Sequence, residues 1–273
     1  MLRLRTQLLA FLLAWSCEVL ADTNNNPAGA RSAGMAHSTV AVSSVWSSFH
    51  NQAGLGRIEK FRAGVFYENR YNISELGLKA ATLAIPSNFG SWSFCYSQYG
   101  YNLYKESKIG LAYARPLGKH IWAGIQMDYF RIALQHQYGR KNCCTFEAGL
   151  QARLIPELFI GFHVFNPIQA EFSTRDYKEP LPARARLGIA WHLSDEFLFT
   201  LETEKDLEAS ERMKGGLEYQ VLEKFHIRVG VANHPRTFSF GIGISIKPIT
   251  TNIAFTRHPV LGNSPSISLN LEP

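Results

Sequence analysis

The residues best suited to chemistry are ionisable, and they recur two positions apart. Arg184, Arg186 and His192 form one set, Glu202 and Glu204 a second, and Lys214, Glu218, His226 and Arg228 a third. A spacing of two places side chains on one face of an extended strand. Mixed charges gathered on one face could order a path for a charged solute as a selectivity ladder, or they could pair with one another and solvate a polar interior. Cys143 and Cys144 could act as a redox pair or as metal ligands, but no CxxC partner and no His at metal spacing accompanies them, so they read as ordinary strand-end thiols. The 9 histidines supply no Ser, His and carboxylate set whose register can be aligned. There is no Gly-rich phosphate loop, zinc spacing or cofactor fingerprint in the chain. The expectation is a protein without enzymatic activity, cofactor or metal.

These residues must be positioned by an unusual scaffold. The chain has 273 residues, 46% hydrophobic and 12% aromatic, and only 18% charged, against about 25% in an ordinary soluble domain. The net charge of +6 comes from 28 basic and 22 acidic residues scattered along the chain, which leaves no basic stripe for nucleic acid. Arg3 and Arg5 precede an apolar run over residues 8–15, and Val19, Leu20 and Ala21 end on a small residue. Residues 1–21 therefore read as a cleavable signal peptide. No later apolar stretch approaches the ~18 residues of a membrane-spanning helix, so the exported chain should be either soluble or a β-barrel.

From residue 57 onward the hydrophobic period is two. Phe238, Phe240, Ile242, Ile244 and Ile246 share one face, with Ser239, Gly241, Gly243, Ser245 and Lys247 on the other. Phe146, Ala148, Leu150, Ala152 and Leu154 oppose Glu147, Gly149, Gln151 and Arg153 in the same way. Such segments begin near Arg57, Ile73, Gly90, Lys108, His120, Cys143, Glu157, Ala183, Glu196, Glu211, Lys224, Thr237, Ile249 and Ser264. Each is roughly 8 to 15 residues long, enough for a tilted strand to cross a bilayer core of about 25 to 30 Å. Every second connection is turn-like, with Pro86, Pro156 and Pro248 among the turn residues, and the connections between them are longer or more polar. That alternation matches the short periplasmic turns and longer outer loops of outer-membrane barrels. A β-sandwich also alternates, but it rarely uses so many strands of this length with Gly and Ser on the polar face. The fold expected is all-β: a 14-stranded antiparallel transmembrane β-barrel over residues 57–273. Trp122, Trp191, Tyr67, Tyr71, Tyr99 and Tyr101 fall near strand ends and could form interface girdles. The longest loop, residues 166–182, is rich in charge and reads as a hydrophilic surface.

Residues 22–56 differ from the rest. Gly29, Ser32, Ala33, Gly34, Ala36 and Ser38 dominate, and about 35 residues are too few for a domain with its own core. Small residues permit close approach to a barrel wall, so this segment reads as a short N-terminal plug in the lumen, with a frayed periplasmic tail as the alternative.

The stretch from Gly29 through Gly34, followed by Asn51, Gln52, Ala53, Gly54 and Leu55, resembles the N-terminal region of FadL-like outer-membrane barrels. In that family the second element reads Asn-Pro-Ala-Gly-Leu. Similar patterns recur at Gly215-Gly216-Leu217-Glu218-Tyr219 and at His258-Pro259-Val260-Leu261-Gly262, the latter pointing to the PorV/PorQ branch found with type IX secretion. The resemblance implies location in the bacterial outer membrane, contact with its lipid, and an N-terminal hatch. Two functions follow from it. One is a scaffold that docks secretion machinery or exported proteins, which the modest polar loops favour. The alternative is a plugged conduit for small hydrophobic molecules.

Overall fold

The computed structural model describes residues 26–134, 139–173, 178–207 and 210–273. The expected signal peptide lies outside the described residues. Fourteen strands close into one antiparallel barrel: β1 (Arg62–Asn69), β2 (Gly77–Ser87), β3 (Gly90–Gly100), β4 (Tyr104–Pro116), β5 (Ile121–Leu134), β6 (Arg140–Ile155), β7 (Leu158–Phe165), β10 (Arg184–His192), β11 (Phe197–Asp206), β12 (Arg212–Leu222), β13 (Phe225–Ala232), β14 (Thr237–Ile246), β15 (Ile249–His258) and β16 (Gly262–Leu271). Between β7 and β10, the short strands β8 (Glu171–Ser173) and β9 (Lys178–Pro180) pair as a separate hairpin. Closure is made by β1 on β16, with Ala63 opposite Leu271 and Glu68 opposite Ser266. Each barrel strand starts within five residues of the position read from the hydrophobic period. The six tight connections all join neighbouring strands on one rim, taken here as the periplasmic rim.

Burial is inverted relative to a soluble protein, and this marks the barrel as transmembrane. Met127 is 68% and Phe238 66% exposed on the outer face, whereas Gln126 and Asp128, which flank Met127, are buried. Lipid accepts an apolar outer face but cannot satisfy a sheet edge or an unpaired charge, so the sheet closes and the polar set turns inward. Among the described residues, no helix is long and apolar enough to cross a membrane.

The lumen holds residues 26–58. A short helix α1 (Ala30–Gly34) is followed by two 3-10 turns, Val45–Phe49 and Gln52–Arg57. Ser44 caps the first turn, accepting from Trp46 N at 3.2 Å and donating its own N–H to Ser47 Oγ at 3.1 Å. Helix α1 packs on β13 to β16 and the second 3-10 turn on β3 to β6, so the segment spans the bore. Trp46, Phe49, Leu55 and Ile58 pack with Phe66, Leu78, Ala84 and Ala112 of the wall into one apolar core. Contact is close where the wall lacks a side chain: a Cβ on Gly149 would lie 2.0 Å from Asn51 Oδ1, and one on Gly161 would lie 2.3 Å from Val40 O.

Two expectations about aromatic side chains and one about a loop are corrected. Trp191 and Tyr67 face outward, but Trp122 turns inward, with its ring 6.3 Å from that of Phe159. Tyr99 also faces the lumen, with Arg70 stacked 5.0 Å from its ring. Trp122 shares the face of Gly124 and Gln126, and Tyr99 that of Ser97; at strand ends the pleat, not the rim, decides which way an aromatic points. The long loop after β7 is not purely hydrophilic: Phe172 and Leu181 are buried against Phe130 and Phe165. Its residues 174–177, Arg175 and Asp176 among them, lie outside the described residues.

Candidate functional site: the plugged lumen

Three layers fill the bore. At the periplasmic end, Arg57 lies 3.8 Å from the centre of the Phe159 ring and 5.5 Å from that of Trp122. Ala41, Ala190 and Leu198 complete this floor. Burial, followed by repulsion from Arg153, pushes the Arg57 guanidinium down to about 10, so it is charged at neutral pH.

The middle layer joins plug to wall through polar side chains. Asn51 is fully buried; its Nδ2 donates to Val40 O at 2.7 Å, Leu150 O at 3.1 Å and Phe162 O at 3.2 Å, while its Oδ1 accepts from Ala53 N at 3.1 Å. Gln52 Nε2 donates to Glu147 Oε2 at 2.7 Å. Gly29 has φ 103°, and a Cβ there would lie 2.7 Å from the Trp46 ring. Gly34 lies against Gly241, where a Cβ would stand 3.1 Å from the Gly241 Cα. Ala53 is buried in the second 3-10 turn, and a Cβ on Gly54 would come within 2.5 Å of Ser47 Oγ. Trp46 Nε1 donates to Asn270 Oδ1 at 2.9 Å, across the bore from Asn51.

Seven of the nine ionisable residues at the two-residue spacing meet in this layer. Arg186 and Glu204 are direct cross-strand partners, as are Glu202 and Lys214, and Glu218 and Arg228. Arg186 Nε reaches Glu204 Oε2 at 2.8 Å, and Lys214 Nζ reaches Glu204 at 2.7 Å and Glu202 at 2.9 Å. Glu202 also accepts from Val40 N at 2.9 Å, which ties the group to the plug. Arg184 Nε pairs with Asp206 at 2.8 Å. Glu218 takes Arg31 of the plug at 2.6 Å and Arg228 at 2.5 Å. His192 and His226 stay outside these groups. His192 is exposed at the end of β10, and His226 is half-buried at the start of β13. The charges therefore pair with each other and with the plug.

A second buried ionic group lies outside the two-residue spacing. Lys108, only 3% exposed, places Nζ 2.5 Å from Glu147 Oε1 and 3.4 Å from Asp128 Oδ1. His163 Nε2 lies 2.8 Å from Glu147 Oε2. These four residues come one each from β4, β5, β6 and β7. The signal available was the polar phase of each strand, in which Glu147 already stands, but no local spacing joins it to Lys108.

The outer layer is apolar. Phe130, Ile132, Cys143, Phe165, Phe172 and Leu181 form a buried cluster on the lumen side of β5 to β7, beneath the loop that carries β8 and β9. Lys108 Nζ lies under it, 5.6 Å from the Phe130 ring centre and 5.8 Å from that of Phe165. Asn166 holds the loop inward, its Nδ2 donating to Leu181 O at 2.7 Å and its Oδ1 accepting from Ala170 N at 2.8 Å. Cys143 is buried here and Cys144 is exposed on the opposite face, so adjacent thiols on one strand point apart. Lipid contact requires no apolar group on the inner wall. This cluster is a second apolar region of the bore, apart from the core formed between plug and wall.

No protein-family model matches the chain, and no curated protein sequence matches it. The fold does have solved counterparts. The CymD monoaromatic hydrocarbon channel aligns with a TM-score of 0.67 at 13% identity, covering 92% of this chain and 98% of that one. The Ralstonia pickettii toluene transporter TbuX gives a TM-score of 0.66 at 12% identity, over 93% of this chain and 100% of that one. A Pseudomonas aeruginosa FadL homologue gives 0.64 at 12% identity, over 91% and 99%. Nothing in these likenesses points to the PorV/PorQ branch. In architecture, this chain is similar to barrels of the FadL type across nearly its whole length.

Proposed function

We propose that this protein is a non-enzymatic conduit of the bacterial outer membrane for small hydrophobic molecules, with residues 26–58 as its lumenal plug. The observation that carries the reading is the buried cluster of Phe130, Ile132, Phe165 and Phe172 at the outer end of the bore, directly above the plug. An apolar solute leaving water would gain about 25 cal/mol per Å² of its surface covered there. The shared fold with barrels described as a monoaromatic hydrocarbon channel and a toluene transporter supports the same class of cargo. The docking of secretion partners finds no support in these structural likenesses.

Phe172 lies in the loop, outside the barrel ladder, so its replacement tests the site without breaking the wall. Phe172→Asp should abolish uptake of radiolabelled toluene into vesicles carrying the purified protein, and Phe172→Leu should retain most of it. Equal uptake by wild type, Phe172→Asp and protein-free vesicles would sink the conduit reading.

A further inference from the structure

A small polar cavity of about 30 Å³ lies beside the apolar cluster, lined by His37, His50, Arg184, Arg186, Arg212 and Lys214, with Glu204 as its one carboxylate. About 10 to 15 Å³ suffices for one water-sized species, so the cavity has room for a single small occupant. Its charges do not balance. Arg184, Arg186 and Lys214 are matched by Asp206, Glu204 and Glu202. Arg212 has no carboxylate partner among the described residues, and its Nε is buried without an acceptor. His37 Nδ1 is likewise buried without a partner.

Two imidazoles line the same cavity. His37 and His50 stack with ring centres 5.7 Å apart. Burial is the largest cause that holds both below the usual histidine range; after it come the stacked neighbour His50 and then Lys214, Arg212 and Arg70 for His37, and Arg186 and Lys214 for His50. A water molecule would satisfy the idle Arg212 Nε and His37 Nδ1 but leave the surplus charge of Arg212 in place. A monovalent anion would answer both.

We propose that this cavity is an anion-binding site, taking one monovalent anion between Arg212 and His37. The anion has two sources with the same chemistry. It can be a free halide. It can also be the carboxylate of a permeating molecule, because Arg184 stands directly opposite Phe165 across the β7 and β10 ladder, where the apolar cluster begins. The site is independent of the conduit reading, since an anion can occupy it in a barrel that transports nothing.

The test is anomalous diffraction from crystals of the full chain grown in sodium bromide, and separately with 4-bromobenzoate. A bromide peak in the cavity is expected in the first, reduced at least tenfold in occupancy in Arg212→Gln. A bromine peak displaced toward Phe165 in the second identifies a carboxylate as an occupant, and a peak in bromide alone identifies a free anion. Faster gel migration of unboiled than of boiled Arg212→Gln protein would verify that its barrel is closed. No peak from either probe in wild type overturns the proposal, as does a peak undiminished in Arg212→Gln.

Discussion

Asn51 should be the single polar residue whose loss most loosens the plug. Its Nδ2 faces three carbonyl oxygens, of Val40, Leu150 and Phe162, and its Oδ1 caps the 3-10 turn at Ala53 N. Two amide hydrogens make at most two full bonds, at about 1 kcal/mol net each. The cap adds about 1 kcal/mol. Asn51→Ala should therefore cost the seated plug ~3 kcal/mol, roughly a 150-fold shift toward the unseated form at 1.4 kcal/mol per tenfold. Native-state hydrogen exchange in detergent reads this directly. The amides of Ala53 and Gly54 should exchange about 100-fold faster in the variant, while wall amides such as Leu217 and the heat-modifiable migration stay as in wild type. Asn51→Asp keeps the acceptor for Ala53 but presents a carboxylate to three carbonyls, so it should seat no better than Asn51→Ala. Wild-type exchange in either variant would refute the claim that donation from Asn51 holds the plug.

Three further outcomes follow from the same contacts. Gly149→Ala places a Cβ 2.0 Å from Asn51 Oδ1, so it should loosen the plug alone yet add little to Asn51→Ala; a double-mutant cycle with additive effects would break the link. Glu147→Gln leaves Lys108 buried with only Asp128 at 3.4 Å, so the thermal midpoint in detergent should fall by the equivalent of about 3 kcal/mol or more, and Lys108→Met in the same chain should recover most of it. His50 donates from Nε2 to Ala28 O at 2.9 Å, and burial pushes its imidazole down to about 3. Between pH 6.5 and 4.5 the unseated plug takes up the proton first, so seating weakens as pH falls, by ~1.4 kcal/mol per pH unit for this group. In halide-free buffer, His50→Gln should reduce the pH dependence of plug exchange by this one group's share, leaving that of His37; an unchanged slope would assign it to other groups.

The sequence by itself determined the barrel, because a period of two repeated between turn signals at regular intervals has few closed solutions in lipid. Strand number, the tight rim and the polar inner phase all follow from local pattern and from the cost of an unpaired backbone group in hydrocarbon. Part of the charge pairing was legible too. Arg186 and Glu204 are equidistant from Asp195 in a tight turn, and Glu218 and Arg228 from Glu223, so a hairpin of known turn brings each pair together. Tertiary structure alone decided the rest. The group of Lys108, Asp128, Glu147 and His163 draws on four strands, and the anchors of Asn51 join residues about 100 positions apart, as in its bond to Leu150 O with a separation of 99. The apolar outer cluster depends on a charged loop folding Phe172 and Leu181 inward, a choice made by Asn166 and by the greasy wall waiting beneath it. Period and turn chemistry are properties of neighbours in the chain. Which side chains share the bore is settled only when the sheet closes and a separate segment fills it.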